Sequence, residues 1–171
     1  YVSGLKLIFS EVFNFLFILI LGGLCSHLLD SILFLFIFCS VRGFSGGFHA
    51  KKHWICRATM IGTFLLILCA KHAAMLAWPL ILPSIGGISL LIICRFSPIE
   101  HPNKYLSEEK KQKNRIRAIG ISIVYLTISG VCLFLGRGEG MTVLLSLTSV
   151  AVLMLVGKRV NEKNRIEMNI A

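Results

Sequence analysis

The sequence predicts an all-α, polytopic integral membrane protein with about six transmembrane helices. Its mean hydropathy is +0.80, 56% of its 171 residues are hydrophobic and only 15% are charged. This is the composition of a chain whose solvent is lipid. The apolar residues also form runs close to the roughly 20 residues that a helix needs to cross the hydrocarbon core. The six cysteines are scattered without a CxxC pair, so no disulfide framework or zinc ribbon is predicted.

The apolar runs divide the chain into successive spans within a single membrane domain. We expect spans at 5–24, 28–41, 57–77, 80–96, 118–135 and 141–156. A polar, glycine-rich segment covers 42–57, a basic connector covers 97–117 and a basic tail covers 157–171. Within the connector, Ser107 followed by two glutamates is typical of a helix start, because serine caps helices and acids suit the first turn.

The basic residues predict both the partner and the orientation. A net charge of +10 would suggest nucleic acid for a soluble protein, but here the cations flank apolar spans, which favours anionic lipid headgroups instead. If the N-terminus is cytoplasmic, sixteen of the 18 lysines and arginines lie on the inside and only Lys71 and Arg137 lie outside. The positive-inside rule therefore predicts that both termini are cytoplasmic.

Segment 42–57 is where we expect chemistry. Cys56 lies among histidines and several cations, and nearby positive charge favours a thiolate, the nucleophilic form of the side chain. A neighbouring imidazole is a suitable base for acyl transfer. If a helix opens after Gly47, its positive dipole end would further favour an anion. The segment thus predicts a cysteine nucleophile.

Helical geometry alone favours one histidine over the other. On a straight helix His49 is seven residues from Cys56, about 10 Å along the axis, which is too far for a hydrogen bond. His53, three residues before the cysteine, is within reach. His49 serves only if the backbone at Gly46 and Gly47 folds it back, or if the helix begins after His49.

Other interpretations of these residues compete with acyl transfer. His49, His53 and Cys56 share a helical face and are a plausible zinc or copper set. Alternatively, Cys56 is a buried hydrophobe and the lysines and histidines form a belt facing the headgroups. A peptide exporter would use the polar residues within the spans, namely Glu11, Asn14, His27 and Asp30. Acyl transfer itself requires neither a metal nor a cofactor.

The same segment resembles a known family. Gly46-Gly47-Phe48-His49-Ala50, with Cys56 seven positions after the histidine and Arg42 upstream, is similar to the signature of the accessory gene regulator B family, the membrane cysteine endopeptidases of bacterial peptide quorum sensing. Ser97-Pro98 followed by Asn103-Lys104 and a basic stretch resembles that family's central connector. The order of the spans agrees along nearly the whole chain.

The resemblance implies an activity, partners and roles for individual residues. In this family a cysteine cleaves a small membrane-bound propeptide with an acidic C-terminal tail, and the resulting thioester closes into a thiolactone or lactone. The implied catalytic residues are Cys56 as nucleophile and His49 as base. The implied supporting residues are Arg42, Gly46 and Gly47, and the implied substrate-binding residues are Asn103, Lys104, Lys110 and Lys111. A bacterial cell membrane and a homodimer are also implied.

No acidic residue lies beside His49 to orient it. Glu11, Asn14, Asp30 and Glu100 are candidates for a third catalytic member. Asp30 is the weakest of these, because the predicted orientation puts it on the outer side.

Overall fold

The chain folds into a bundle of six α-helices within the residues that the structure describes. The structure, a computed structural model, describes the backbone of residues 2–45, 53–74, 81–97 and 107–170, and the side chains of residues 12–45, 57–71, 84–97, 107–160 and 162. The helices are α1 (Val2–Leu24), α2 (Leu28–Ser45), α3 (His53–Ala74), α4 (Ile81–Phe96), α5 (Glu108–Phe134) and α6 (Glu139–Ile170). The predicted all-α class is confirmed.

The helices have the length and the surface of membrane spans. Among the described side chains, three stretches are long and apolar enough to cross a membrane, namely Leu28–Ser45, Glu108–Phe134 and Glu139–Val160. Val12–Leu24 and Ser84–Phe96 are shorter apolar stretches. Many large hydrophobic side chains on the outer surface are exposed, with Phe134 at 92%, as expected where the surroundings are lipid. The prediction of a polytopic membrane protein is therefore confirmed.

Several helices continue beyond the apolar runs that predict them. α2 ends at Ser45 rather than near residue 41, α5 begins at Glu108 rather than near 118, and α6 reaches Ile170 rather than 156. Hydropathy marks where a helix leaves the hydrocarbon core, whereas lysine, glutamate and arginine allow it to continue into the interface. α5 does start directly after Ser107, although the serine hydroxyl makes no capping hydrogen bond.

Two tight turns reverse the chain at the same end of the bundle. Between α1 and α2, Ser26 has a φ of 60° and the His27 N–H donates to the Gly22 carbonyl over 2.7 Å. Between α5 and α6, Gly136 has a φ of 70° and closes the same kind of motif. We call this the Asp30 end, and we call the opposite end, where α2 finishes and α3 begins, the Ser45 end.

The core is built around α6, which packs against α2, α3, α4 and α5. Fully buried aromatic rings fill the space between α2 and α3, where the Phe34 ring centroid lies 5.2 Å from that of Phe38 and 5.3 Å from that of Phe64. Hydrogen bonds also join helices, including Ser89 to Thr148 over 3.1 Å. Such contacts satisfy polar groups that lipid cannot hydrate.

Replacing Phe34 by alanine tests this packing. Phe34 is 0% exposed, so Phe34→Ala leaves a cavity and should lower the free energy of unfolding by about 3–5 kcal/mol. Phe36 on the same helix is 68% exposed, so Phe36→Ala is the matched control and should have a much smaller effect. Thermal unfolding in detergent measures both changes, and equal losses would contradict the assignment of the core.

Candidate functional site

Cys56 lies in the first turn of α3, at the Ser45 end of the bundle. α3 begins at His53, which makes Cys56 its fourth residue. In general, the first N–H groups of a helix lack partners within the helix, and the positive end of the helix dipole favours a thiolate over a thiol. The side chains of Cys56 and His53 fall outside the described residues, as do Gly46, Gly47 and His49 entirely.

Arg42 and a second arginine are held against aromatic rings at the same end. The Arg42 guanidinium lies 5.1 Å from the centroid of Phe38, which is itself only 2% exposed. From α5, the Arg117 guanidinium lies 5.8 Å from the centroid of Phe44. Cation–π contacts of this kind fix long side chains that otherwise sample many rotamers. The arginines therefore give the Ser45 end a fixed positive potential.

The lysines predicted to bind substrate lie where α5 starts. Lys110 and Lys111 are in the first turns of this helix, and the Lys111 ammonium is 3.5 Å from the Glu108 carboxylate. Glu108 is 89% exposed, so water weakens that pair. Asn103 and Lys104 fall outside the described residues.

The structure separates the candidates for a third catalytic residue. The Asn14 side chain is 4% exposed, and its nitrogen lies 3.8 Å from the sulfur of Met60, one helical turn after Cys56. Asp30 instead contacts Lys71, fifteen residues after Cys56 and about 22 Å farther along α3. Asp30 is thereby excluded as a direct partner of Cys56. The side chain of Glu11 and the whole of Glu100 fall outside the described residues.

Comparison with known proteins identifies the family of this chain. A model of the family described as accessory gene regulator B matches residues 1–157, which includes the Ser45 end and most of α6. The chain belongs to the accessory gene regulator B family. This membership confirms the resemblance and connects the protein with accessory gene regulation.

Individual relatives support the assignment over different lengths. The chain is 23% identical to accessory gene regulator protein B of Staphylococcus saprophyticus, over 88% of this chain and 77% of that protein. It is 25% identical to putative AgrB-like protein 2 of Clostridium perfringens, over 80% of this chain and 67% of that protein. It is 32% identical to protein FsrB of Enterococcus faecalis over 53% of this chain, a match that spans only 35% of FsrB. No solved structure matches the chain.

At its Asp30 end, this member of the accessory gene regulator B family has a buried ionic cluster. The Lys71 ammonium donates to both oxygens of the Asp30 carboxylate over 2.8 and 2.7 Å. The Thr142 hydroxyl donates to one of these oxygens over 2.5 Å, and His27 Nδ1 lies 2.7 Å from the other. Asp30 and Lys71 are 3% and 7% exposed. One carboxylate thus joins α2, α3 and α6.

This cluster was not predicted from the sequence, although the sequence contains two ionisable residues that indicate it. The predicted orientation places both Asp30 and Lys71 on the outer side, and ionisable residues inside membrane spans usually pair with one another. The cluster lies at the base of a cleft of about 340 Å³ that Glu139 also lines. Because both carboxylate oxygens have two partners, the cluster's evident role is to hold the helices together.

The residues of the exporter alternative do not form a continuous path in the described part of the bundle. Asn14 contacts α3 at Met60, whereas Asp30 contacts it at Lys71, eleven residues later. Between these two levels the fully buried rings of Phe34 and Phe64 pack against each other. The core at this depth is therefore filled with apolar side chains.

Removing the ammonium of Lys71 tests the structural role of the cluster. Lys71→Met leaves a buried carboxylate without its cation and should cost about 3–5 kcal/mol of unfolding free energy. The double variant Asp30→Asn with Lys71→Met removes both charges and should recover most of that loss. Thermal unfolding in detergent provides the measurement.

The matched control is Lys113→Met, which breaks an ion pair of 2.6 Å with Glu109 on the surface of α5. Both of its side chains are more than half exposed, so the expected cost is at most about 1 kcal/mol. Similar effects of Lys71→Met and Lys113→Met would show that the buried cluster contributes no special stability.

Proposed function

We propose that this chain is a membrane-embedded cysteine endopeptidase that cleaves the C-terminal tail from a small propeptide and promotes cyclisation of the remainder. In this proposal the product is a thiolactone or lactone signal peptide of bacterial quorum sensing. Cys56 is the nucleophile and His49 is the base. The Ser45 end faces the cytoplasm of a bacterial cell, because most of the cations lie on that side of the spans.

The match of the accessory gene regulator B family model to residues 1–157 carries this proposal, since it includes the whole segment from Arg42 to Cys56. The position of Cys56 in the first turn of α3 adds independent physical support. A thiol there gains nucleophilicity from the helix dipole and from the positive potential of Arg42 and Arg117. The described cysteines lack this support: Cys39 and Cys69 lie well inside their helices, Cys94 and Cys132 lie near the C-terminal ends of α4 and α5, and Cys25 lies in the α1–α2 turn.

The proposed chemistry proceeds in two acyl transfers. His49 takes the thiol proton of Cys56, and the sulfur attacks the carbonyl carbon of the scissile peptide bond. The C–N bond then breaks, and His49 returns the proton to the leaving amine of the tail. A thiol or hydroxyl of the propeptide next attacks the thioester carbonyl, which closes the ring and releases the Cys56 sulfur as a thiol. The two acyl transfers together consume no water.

The start of α3 bears on the choice of base. The described part of α3 begins at His53, so it fixes the spacing from His53 to Cys56 and does not include His49. The family signature favours His49 as the base. Supporting roles for Gly46, Gly47 and Arg42 belong to the same proposal, as does a homodimer.

Replacing Cys56 tests the proposal directly. Cys56→Ala should abolish cleavage of a propeptide expressed with it, a loss of at least about 10³-fold, because the nucleophile is removed. His49→Ala should approach the same loss, whereas His53→Ala should retain cleavage. Mass spectrometry should also detect wild-type protein acylated on Cys56.

Cys69→Ala is the matched control, since Cys69 is an exposed cysteine on the same helix, and it should cleave normally. Cleavage by Cys56→Ala would disprove the nucleophile. Normal cleavage by His49→Ala together with loss in His53→Ala would transfer the role of base to His53. Loss of a bound metal on substitution of Cys56 would favour the metal-binding alternative instead.

The lysines at the start of α5 should affect substrate affinity rather than chemistry. We propose that Lys110 and Lys111, together with Asn103 and Lys104, attract the acidic tail of the propeptide. The double variant Lys110→Gln with Lys111→Gln should raise KM several-fold with little change in kcat, and raised salt should reduce the difference. Arg137→Gln at the Asp30 end is the charge-matched control. A fall in kcat with unchanged KM would contradict this role.

A further inference from the structure

Three cations from three helices gather around the last residues of α4 at the Ser45 end. The Lys158 ammonium of α6 lies 4.4 Å from the centroid of the Phe96 ring. The Arg95 guanidinium lies 6.0 Å from the same centroid. From α5, Arg115 donates to the Cys94 carbonyl over 3.0 Å. These contacts bring the three positive charges together at one place on the bundle surface.

The positive charge at this place exceeds the negative charge that the described contacts supply. One carboxylate is nearby, that of Glu162, which lies 3.7 Å from the Lys158 ammonium. The carbonyl end of α4 attracts cations, but a helix terminus carries only about half an elementary charge. An anion bound here would relieve the remaining repulsion between the cations.

An exposed apolar stripe leads from the cations toward the middle of the bundle. Leu91 and Ile88 precede Arg95 by four and seven residues, which puts the three on one face of α4. Leu91 is 69% exposed and Ile88 is 57% exposed. A cationic end joined to an apolar stripe matches the charged headgroup and the acyl chain of one phospholipid. A free phosphate or a water-soluble peptide has no acyl chain that would contact the stripe.

We propose that Arg95, Lys158 and Arg115 bind the phosphodiester of one anionic phospholipid, with an acyl chain lying along Leu91 and Ile88. The Phe96 ring holds the Lys158 ammonium and the Arg95 guanidinium in place. The site is independent of the proposed peptidase chemistry, because it uses neither Cys56 nor His49. It adds a defined position to the general attraction between basic residues and anionic lipids.

Lipid binding to the purified full chain in neutral detergent tests the proposal. Phosphatidylglycerol should raise the midpoint of thermal unfolding and remain bound in native mass spectrometry, whereas phosphatidylcholine should do neither. Removing one cation should weaken phosphatidylglycerol binding about fivefold, so Arg95→Gln with Lys158→Gln should weaken it roughly 25-fold. Lys158→Arg keeps the charge and should keep the binding.

The charge-matched control is Lys113→Gln with Arg137→Gln, which alters two exposed cations outside the site and should leave lipid affinity unchanged. Equal losses in the two double variants would overturn the defined site in favour of a diffuse basic belt. Equal binding of phosphatidylcholine, equal binding of soluble glycerol phosphate, or displacement by a short acidic peptide at similar affinity would each overturn the assigned ligand. Leu91→Gln should weaken phosphatidylglycerol binding if the acyl chain lies on the stripe, and unchanged binding would contradict that placement.

Discussion

The carboxylate of Asp30 is the point on which the arrangement of the helices depends. Three helices meet at its two oxygens, through Lys71 of α3, Thr142 of α6 and the backbone of α2 that carries it. A charge in a lipid-facing bundle is tolerated only when its partners replace the hydration that it has lost. The cluster therefore permits one relative position of these helices and penalises displacements that separate the charges.

This constraint acts on the proposed catalytic end through α3. One face of that helix packs into the core through the buried side chains of Met60, Phe64 and Ile67, and Lys71 continues the face to the Asp30 end. Cys56 comes one turn before Met60 on the same rigid element. The ionic cluster and the apolar face thus fix the helix that carries the proposed nucleophile, although the cluster itself is about 22 Å from the cysteine along that helix.

The two ends of the bundle use charge in different ways. At the Asp30 end, a carboxylate and an ammonium are buried together and neutralise each other. At the Ser45 end, Arg117 and Arg95 lie against aromatic rings, which orient the two guanidinium groups without adding a negative charge. The Ser45 end therefore retains the positive potential that a thiolate, an acidic peptide tail or a lipid phosphate requires. The buried ionic cluster and the proposed chemistry therefore lie at opposite ends of the bundle.

The amino-acid sequence by itself determined that the chain is helical and crosses a membrane, because hydropathy depends on composition along the chain rather than on contacts. It also identified the family, since the spacing of Gly46, His49 and Cys56 is a local property of the sequence. It predicted the ends of the helices less well. α5 begins at Glu108, because its first residues are charged residues that favour a helix, and hydropathy does not detect a helix made of such residues.

Only the tertiary structure decided which distant residues meet. The sequence offered Asp30 as a third catalytic residue and treated Lys71 as an isolated outer cation, but 41 positions separate the two, and no periodicity along a chain reports a contact between different helices. Packing of α2, α3 and α6 brings them together and thereby holds Asp30 at the end of the bundle opposite Cys56. The same packing gathers Arg95, Arg115 and Lys158, which the sequence shows only as separate charges in three different segments.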